Sequence, residues 1–130
     1  MTIAACSCGQ LAVSCAGAPA RVSVCHCLAC KRRTGSAFGA QARYEAHQVT
    51  VSGESTSWER VGDGGSRVTF RFCPRCGSTV FWTLDAVPGV VAVAVGCFAD
   101  PEFEPPRVSV YEERQCPWVI LGDSVREHLG

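Results

Sequence analysis

The chain lacks any run of about 20 apolar residues, the length a helix needs to cross a bilayer, so no membrane association is expected. Its opening residues, MTIAACSCGQ, show no basic segment followed by an apolar stretch. No secretory signal is therefore expected, and the expected compartment is the cytoplasm. Charge of one sign is not in excess either, since 12 Lys and Arg balance 12 Asp and Glu. That balance leaves no broad basic surface, which argues against nucleic acid as a partner. Long-period repeats and low-complexity linkers are absent, so residues 1–130 are expected to form a single domain.

Cysteine, by contrast, is abundant, with ten among 130 residues. Such a density suits disulfides in an oxidising compartment or metal in a reducing one. The even count fits disulfides, but the spacing fits metal. Cys6-Ser7-Cys8, Cys25-His26-Cys27-Leu28-Ala29-Cys30 and Cys73-Pro74-Arg75-Cys76 hold their thiols too close along the chain to pair easily with one another. They suit one small ion instead. A domain of this size is stabilised only modestly by burial, so a metal staple would add to the fold.

The pattern between the clusters predicts a mainly β fold of short antiparallel strands with short helical turns. Residues 10–15, 21–25, 37–43, 79–84 and 108–111 suit strands, and 67–72 alternates most strictly. Residues 90–95 form a β-branched run suited to burial on both faces. A hairpin is expected from 49–52 and 55–61, and a turn at Asp63-Gly64-Gly65. Residues 28–33 lack β-branched side chains and suit a helical turn that Gly35 stops. Residues 123–129 suit a short helix or a loose tail. Trp58, Trp82 and the phenylalanines are expected in the core, and His47 and His128 at the surface.

The Cys73–Cys76 turn offers half of a tetrahedral site, and Cys6 with Cys8 offers the other half. Taken alone, Cys73 and Cys76 could also be a redox pair, although that leaves Cys6 and Cys8 without a role. The second cluster supplies three thiols from one loop. Either the fourth metal position stays open for chemistry, or Cys15, Cys97, Cys116 or His26 closes it. Lys31, Arg32 and Arg33 follow at once, and suit either an anionic substrate or a solvated basic turn. The polar stretch from Tyr111 to Trp118 suits a pocket wall, where Tyr111, Glu112 or Glu113 would move a proton. The bland alternative for it is an exposed strand end.

The succession of Ala5-Cys6-Ser7-Cys8-Gly9, Cys25-His26-Cys27-Leu28-Ala29-Cys30, Gly35-Ser36-Ala37-Phe38, Phe72-Cys73-Pro74-Arg75-Cys76-Gly77-Ser78 and Pro117-Trp118-Val119 resembles the glutathione-dependent formaldehyde-activating enzyme family. The resemblance implies a β-tent zinc fold with two zinc ions per chain. It implies a structural zinc on Cys6, Cys8, Cys73 and Cys76, and a catalytic zinc on Cys25, Cys27 and Cys30. It further implies a carbon–sulfur lyase-type reaction joining glutathione, or another thiol, to formaldehyde or a similar small aldehyde. On that expectation Lys31, Arg32 and Arg33 bind the thiol substrate, and Glu112 or Glu113 is the acid or base. The expectation from another class is a binding module stapled by two structural zinc ions.

Overall fold

The computed structural model describes residues 1–62 and 64–130; Asp63, the first residue of the expected turn, lies outside the described residues. The fold is mainly β, as the patterning predicts. In chain order the strands are β1 (Thr2–Ala5), β2 (Ala12–Cys15), β3 (Arg21–Cys25), β4 (Gly39–Glu45), β5 (Val49–Ser52), β6 (Thr56–Val61), β7 (Arg67–Phe72), β8 (Thr79–Leu84), β9 (Val90–Ala94), β10 (Val108–Val110) and β11 (Glu127–His128). One helix, α1 (Leu28–Thr34), lies between β3 and β4. Short 3-10 turns cover Ala46–Gln48, Val95–Phe98 and Glu112–Arg114.

The strands form two sheets. The smaller has the order β1-β2-β5, and the larger runs β11-β10-β3-β4-β9-β8-β7-β6. Most pairings are antiparallel, while β10 runs parallel to β3 and to β11. Alternation along each strand gives the large sheet two distinct faces. Val22, Ala42 and Val93 are register neighbours on one face. They join Ala4, Leu11, Val13 and Cys15 of the small-sheet region in the main buried cluster. Tyr44 and Val80 are fully enclosed in the same cluster. The opposite face carries a second row, Arg21–Arg43–Ala92–Trp82–Phe70–Trp58, one residue from each of six strands. Phe70 and Trp82 are buried there, and this face looks into a cavity.

Two expectations are overturned by pairing. The segments 49–52 and 55–61 do not form a hairpin: β5 pairs with β2 and β6 with β7. Residues 123–129 are neither a helix nor a loose tail, because β11 adds to the edge of β10. Trp58 is not a core residue; it is 58% exposed, on the outermost strand, and stacks on Phe70 with ring centroids 6.0 Å apart.

The helix is short but well delimited. Cys27 caps its start, with its sulfur accepting a hydrogen bond from the Cys30 backbone N–H at 3.3 Å. Gly35 ends it in the left-handed conformation, φ 63°, which glycine adopts without a side-chain clash. Lys31, Arg32 and Arg33 fall in the last turn, where cations complement the helix dipole.

Gly53 holds a contact that reaches the first cysteine group. Its φ is 93°, and a Cβ there would lie 1.8 Å from the Gln10 carbonyl oxygen. Gln10 in turn donates to the Glu54 carbonyl at 2.7 Å and to the Cys73 sulfur at 3.0 Å. Gly53→Ala is expected to cost roughly 2 kcal/mol or more, from backbone strain and the displaced Gln10. Thermal melting measures this directly; a melting temperature equal to wild type would show that the turn yields at no cost.

Candidate metal centres and the cavity between them

Cys6 and Cys8 follow β1, and Cys73 and Cys76 sit in the turn from β7 to β8. Their four sulfurs lie within 4.8 Å of one another. The Cys6–Cys8 and Cys8–Cys73 sulfur separations are both 3.6 Å. A tetrahedron of sulfurs about 2.3 Å from a central ion has edges of about 3.8 Å, so the spacing fits zinc and is far too long for disulfides. All ten cysteines are free thiols. Backbone N–H groups favour the charged sulfurs: Leu11 donates to Cys6 and Arg75 to Cys73, each at 3.3 Å. Gly77, at φ 80°, lets the knuckle close with its N–H bonded to the Cys73 carbonyl at 2.8 Å. Hydrogen bonding by the Ser78 side chain and backbone pulls the Cys76 thiol down to about 5.

The second group joins Cys25, the last residue of β3, to Cys27 and Cys30 at the start of α1. Among the described residues no fourth His, Cys, Asp or Glu belongs to this group. The alternatives for a fourth ligand lie elsewhere. His26 is fully buried with Nε2 3.0 Å from the Ser109 hydroxyl. Cys15 packs beside Tyr44. Cys97 faces the Thr79 carbonyl at 3.6 Å, and Cys116 takes a 3.4 Å contact from Lys31 Nζ. Within the group, hydrogen bonds from Cys25 and Cys30 hold the Cys27 thiol at about 2, while Cys27 pushes the Cys25 thiol upward. One thiolate is thus easily formed and the others resist ionisation until a cation joins them. Three soft sulfurs at this spacing fit a metal ion with one position to spare.

This group opens on a cavity of about 600 Å³, bounded by the inner face of the large sheet, α1 and the segment after β10. That volume suits a ligand of tens of atoms. The expected substrate residues separate here. Arg33 lines the cavity with its guanidinium 4.2 Å over the Trp82 ring. Lys31 turns away to the Arg114 carbonyl and Cys116, and Arg32 is exposed outside the cavity. Glu113 and Tyr111 line the cavity. Glu112 does not; it pairs with His128 at 2.7 Å, and that contact holds its carboxyl below the usual range.

Three lining residues escape any sequence motif: Arg21 on β3, Arg43 on β4 and Arg60 on β6. Strand alternation marks each as pointing opposite to its apolar neighbours, but alternation does not separate a cavity from solvent. Only the sheet order brings them to one wall.

A crystal structure of a Rhodobacter sphaeroides protein is similar in fold, with a TM-score of 0.57 and 21% identity over 73% of this chain and 85% of that one. No curated protein matches the chain. The family model described as glutathione-dependent formaldehyde-activating enzyme matches residues 1–114, and carries both cysteine groups within that span. The cavity-facing cysteine group, the four-cysteine knuckle and this match agree, and the chain belongs to the glutathione-dependent formaldehyde-activating enzyme family.

Proposed function

We propose that the protein is a zinc enzyme that makes or breaks the carbon–sulfur bond between glutathione, or a similar thiol, and formaldehyde or another small aldehyde. The observation that carries this reading is the three-thiol group opening on a ligand-sized cavity, with no fourth ligand gathered among the described residues. Two zinc ions per chain go with it. The ion on Cys6, Cys8, Cys73 and Cys76 is structural and ties β1 to the β7–β8 turn. The ion on Cys25, Cys27 and Cys30 supplies, when bound, Lewis acidity toward a thiol or a carbonyl oxygen.

The addition is balanced without any redox partner. The thiol sulfur attacks the aldehyde carbon, the carbon–sulfur bond forms, the thiol proton leaves and the carbonyl oxygen gains one. Glu113, at the cavity wall, is the candidate to move that proton. Glu112, held by His128, is better placed to fix the 112–114 turn than to meet substrate. Arg33, stacked on Trp82, keeps a cation facing the cavity while the ring shields one side of it. Lys31 and Arg32 act on the helix end rather than on substrate. Ten free thiols and a glutathione substrate fit a reducing, cytoplasmic setting.

Metal content tests the two-site division. The purified protein is expected to carry two zinc ions per chain by elemental analysis and to keep one after a mild chelator. Two ions that both resist would place both in closed structural sites and remove the open position. Cys30→Ser is expected to lose the labile zinc and keep a cooperative melt, whereas Cys73→Ser is expected to unfold the domain, since structural zinc is folding energy. The substrate is tested by following adduct formation from glutathione and formaldehyde by NMR. Zinc-loaded wild type is expected to speed it and Cys30→Ser to lose the effect. No acceleration by zinc-loaded protein would reject this substrate pair.

A further inference from the structure

The cavity holds a concentration of positive charge that the basic run after Cys30 does not account for. Arg21 and Arg43 are direct register partners on the antiparallel pair β3–β4. Like charges directly opposite on such a pair repel. The Nε atoms of Arg21, Arg43 and Arg60 are each buried with no hydrogen-bond partner among the described residues. The ion pairs among those residues join other groups: His47 with Glu45, Arg67 with Glu59 and His128 with Glu112. Glu113 is the one carboxylate among the described residues lining the cavity, on the segment after β10. Burial and the nearby Arg21 both lower the affinity of Arg43 for its proton. A buried guanidinium Nε without a partner is costly to a fold even where the rest of the half-buried side chain reaches the cavity, or where, as for Arg60, the guanidinium lies 5.9 Å over the Phe70 ring, and a fold gains nothing by setting two such groups opposite each other. They make physical sense once an oxyanion sits among them, because the guanidinium fork matches carboxylate and phosphate geometry.

We propose that Arg21, Arg43 and Arg60 form an anion subsite on the cavity wall that seats a carboxylate or phosphate group of the substrate. The subsite shares its cavity with Cys25, Cys27 and Cys30, so one bound molecule reaches both. The subsite thereby selects for substrates that carry an oxyanion besides the reacting group. This deepens the reading given above and rests on it for one point only, that the oxyanion belongs to glutathione, where it is a carboxylate. A thiol of similar size without carboxylates would lack the anchor.

The subsite is tested without turnover. Zinc-loaded protein is melted in a buffer free of multivalent anions, then with rising succinate and, separately, rising phosphate. Wild type is expected to gain melting temperature steadily with the logarithm of anion concentration. Arg21→Gln and Arg43→Gln are expected to need about tenfold more anion or more for the same gain. Without anion both variants should melt no lower than wild type, because each removes one side of the repulsive pair. Arg126→Gln, exposed and outside the cavity, should respond as wild type does. Should a glutamine variant fail to fold, Arg43→Lys keeps the charge without the fork and should still weaken the response. A stronger response to succinate identifies a carboxylate substrate, and a stronger response to phosphate a phosphorylated one; either supports the subsite. A wild type indifferent to both anions, or variants that respond as wild type does, would overturn it. Wild type that responds to succinate but does not speed the glutathione reaction keeps the subsite and removes only glutathione.

Discussion

Seven thiols gathered into two groups, with sulfurs within 4.8 Å of one another in each, set the terms for everything else in this fold. Sulfurs at that distance cannot all ionise beside one another without a cation among them. Backbone N–H donors at Cys6, Cys27 and Cys73, each 3.3 Å from a sulfur, add to that stabilisation. Those donors come from tight turns, and the turns dictate where strands end. The four-thiol group sits where β1 leaves the small sheet and where β7 turns into β8 of the large one. A single metal ion there would reinforce a junction that already carries the Ser7–Ser78 hydroxyl contact at 2.9 Å and the Gln10 hydrogen bond to the Cys73 sulfur at 3.0 Å.

The three-thiol group differs in how it is supported. Two of its members belong to the start of a seven-residue helix, which alone would be too short to persist in water. Cys27 serves as helix cap and as candidate ligand through the same sulfur. Gly39 leaves room for the arrangement: a Cβ there would come 3.3 Å from the Cys30 Cβ and 2.7 Å from an Arg33 nitrogen. The helix therefore lies close against β4, and its open side is the side that faces the cavity. Losing the cap would disturb the helix and the thiol geometry together, so the two cannot be separated by mutation at Cys27.

Cysteine spacing made the two thiol groups legible because each part of them is local. Cys6 with Cys8, Cys25 with Cys27 and Cys30, and Cys73 with Cys76 are all within six residues of one another, where turn geometry decides. Strands such as β3 and β7 were legible for the same reason. Partner choice was not. Residues 49–52 look ready to pair with 55–61, yet β5 completes the small sheet with β2 and β6 closes the large one with β7. The apolar surfaces that decide between those pairings are assembled from distant segments. Trp58 shows the cost at one residue: its aromatic character suggests core, but the edge strand carrying it leaves it exposed.

The arginines follow from the same limit, and they alter the electrostatics of the site. The sequence places positive charge at Lys31, Arg32 and Arg33, beside the second cysteine group. The fold uses Lys31 to hold the Arg114 carbonyl and leaves Arg32 in solvent. Arg33 stays on the cavity beside the thiols, and Arg21, Arg43 and Arg60 join it on the wall from separate strands. That charge reaches the thiols as well as the cavity, since Arg60 helps to lower the Cys27 thiol. A thiolate and a carboxylate on one molecule repel each other less when each has its own counterion. β3 carries a member of the arginine cluster and one of the three-thiol group, with Arg21 at its start and Cys25 at its end.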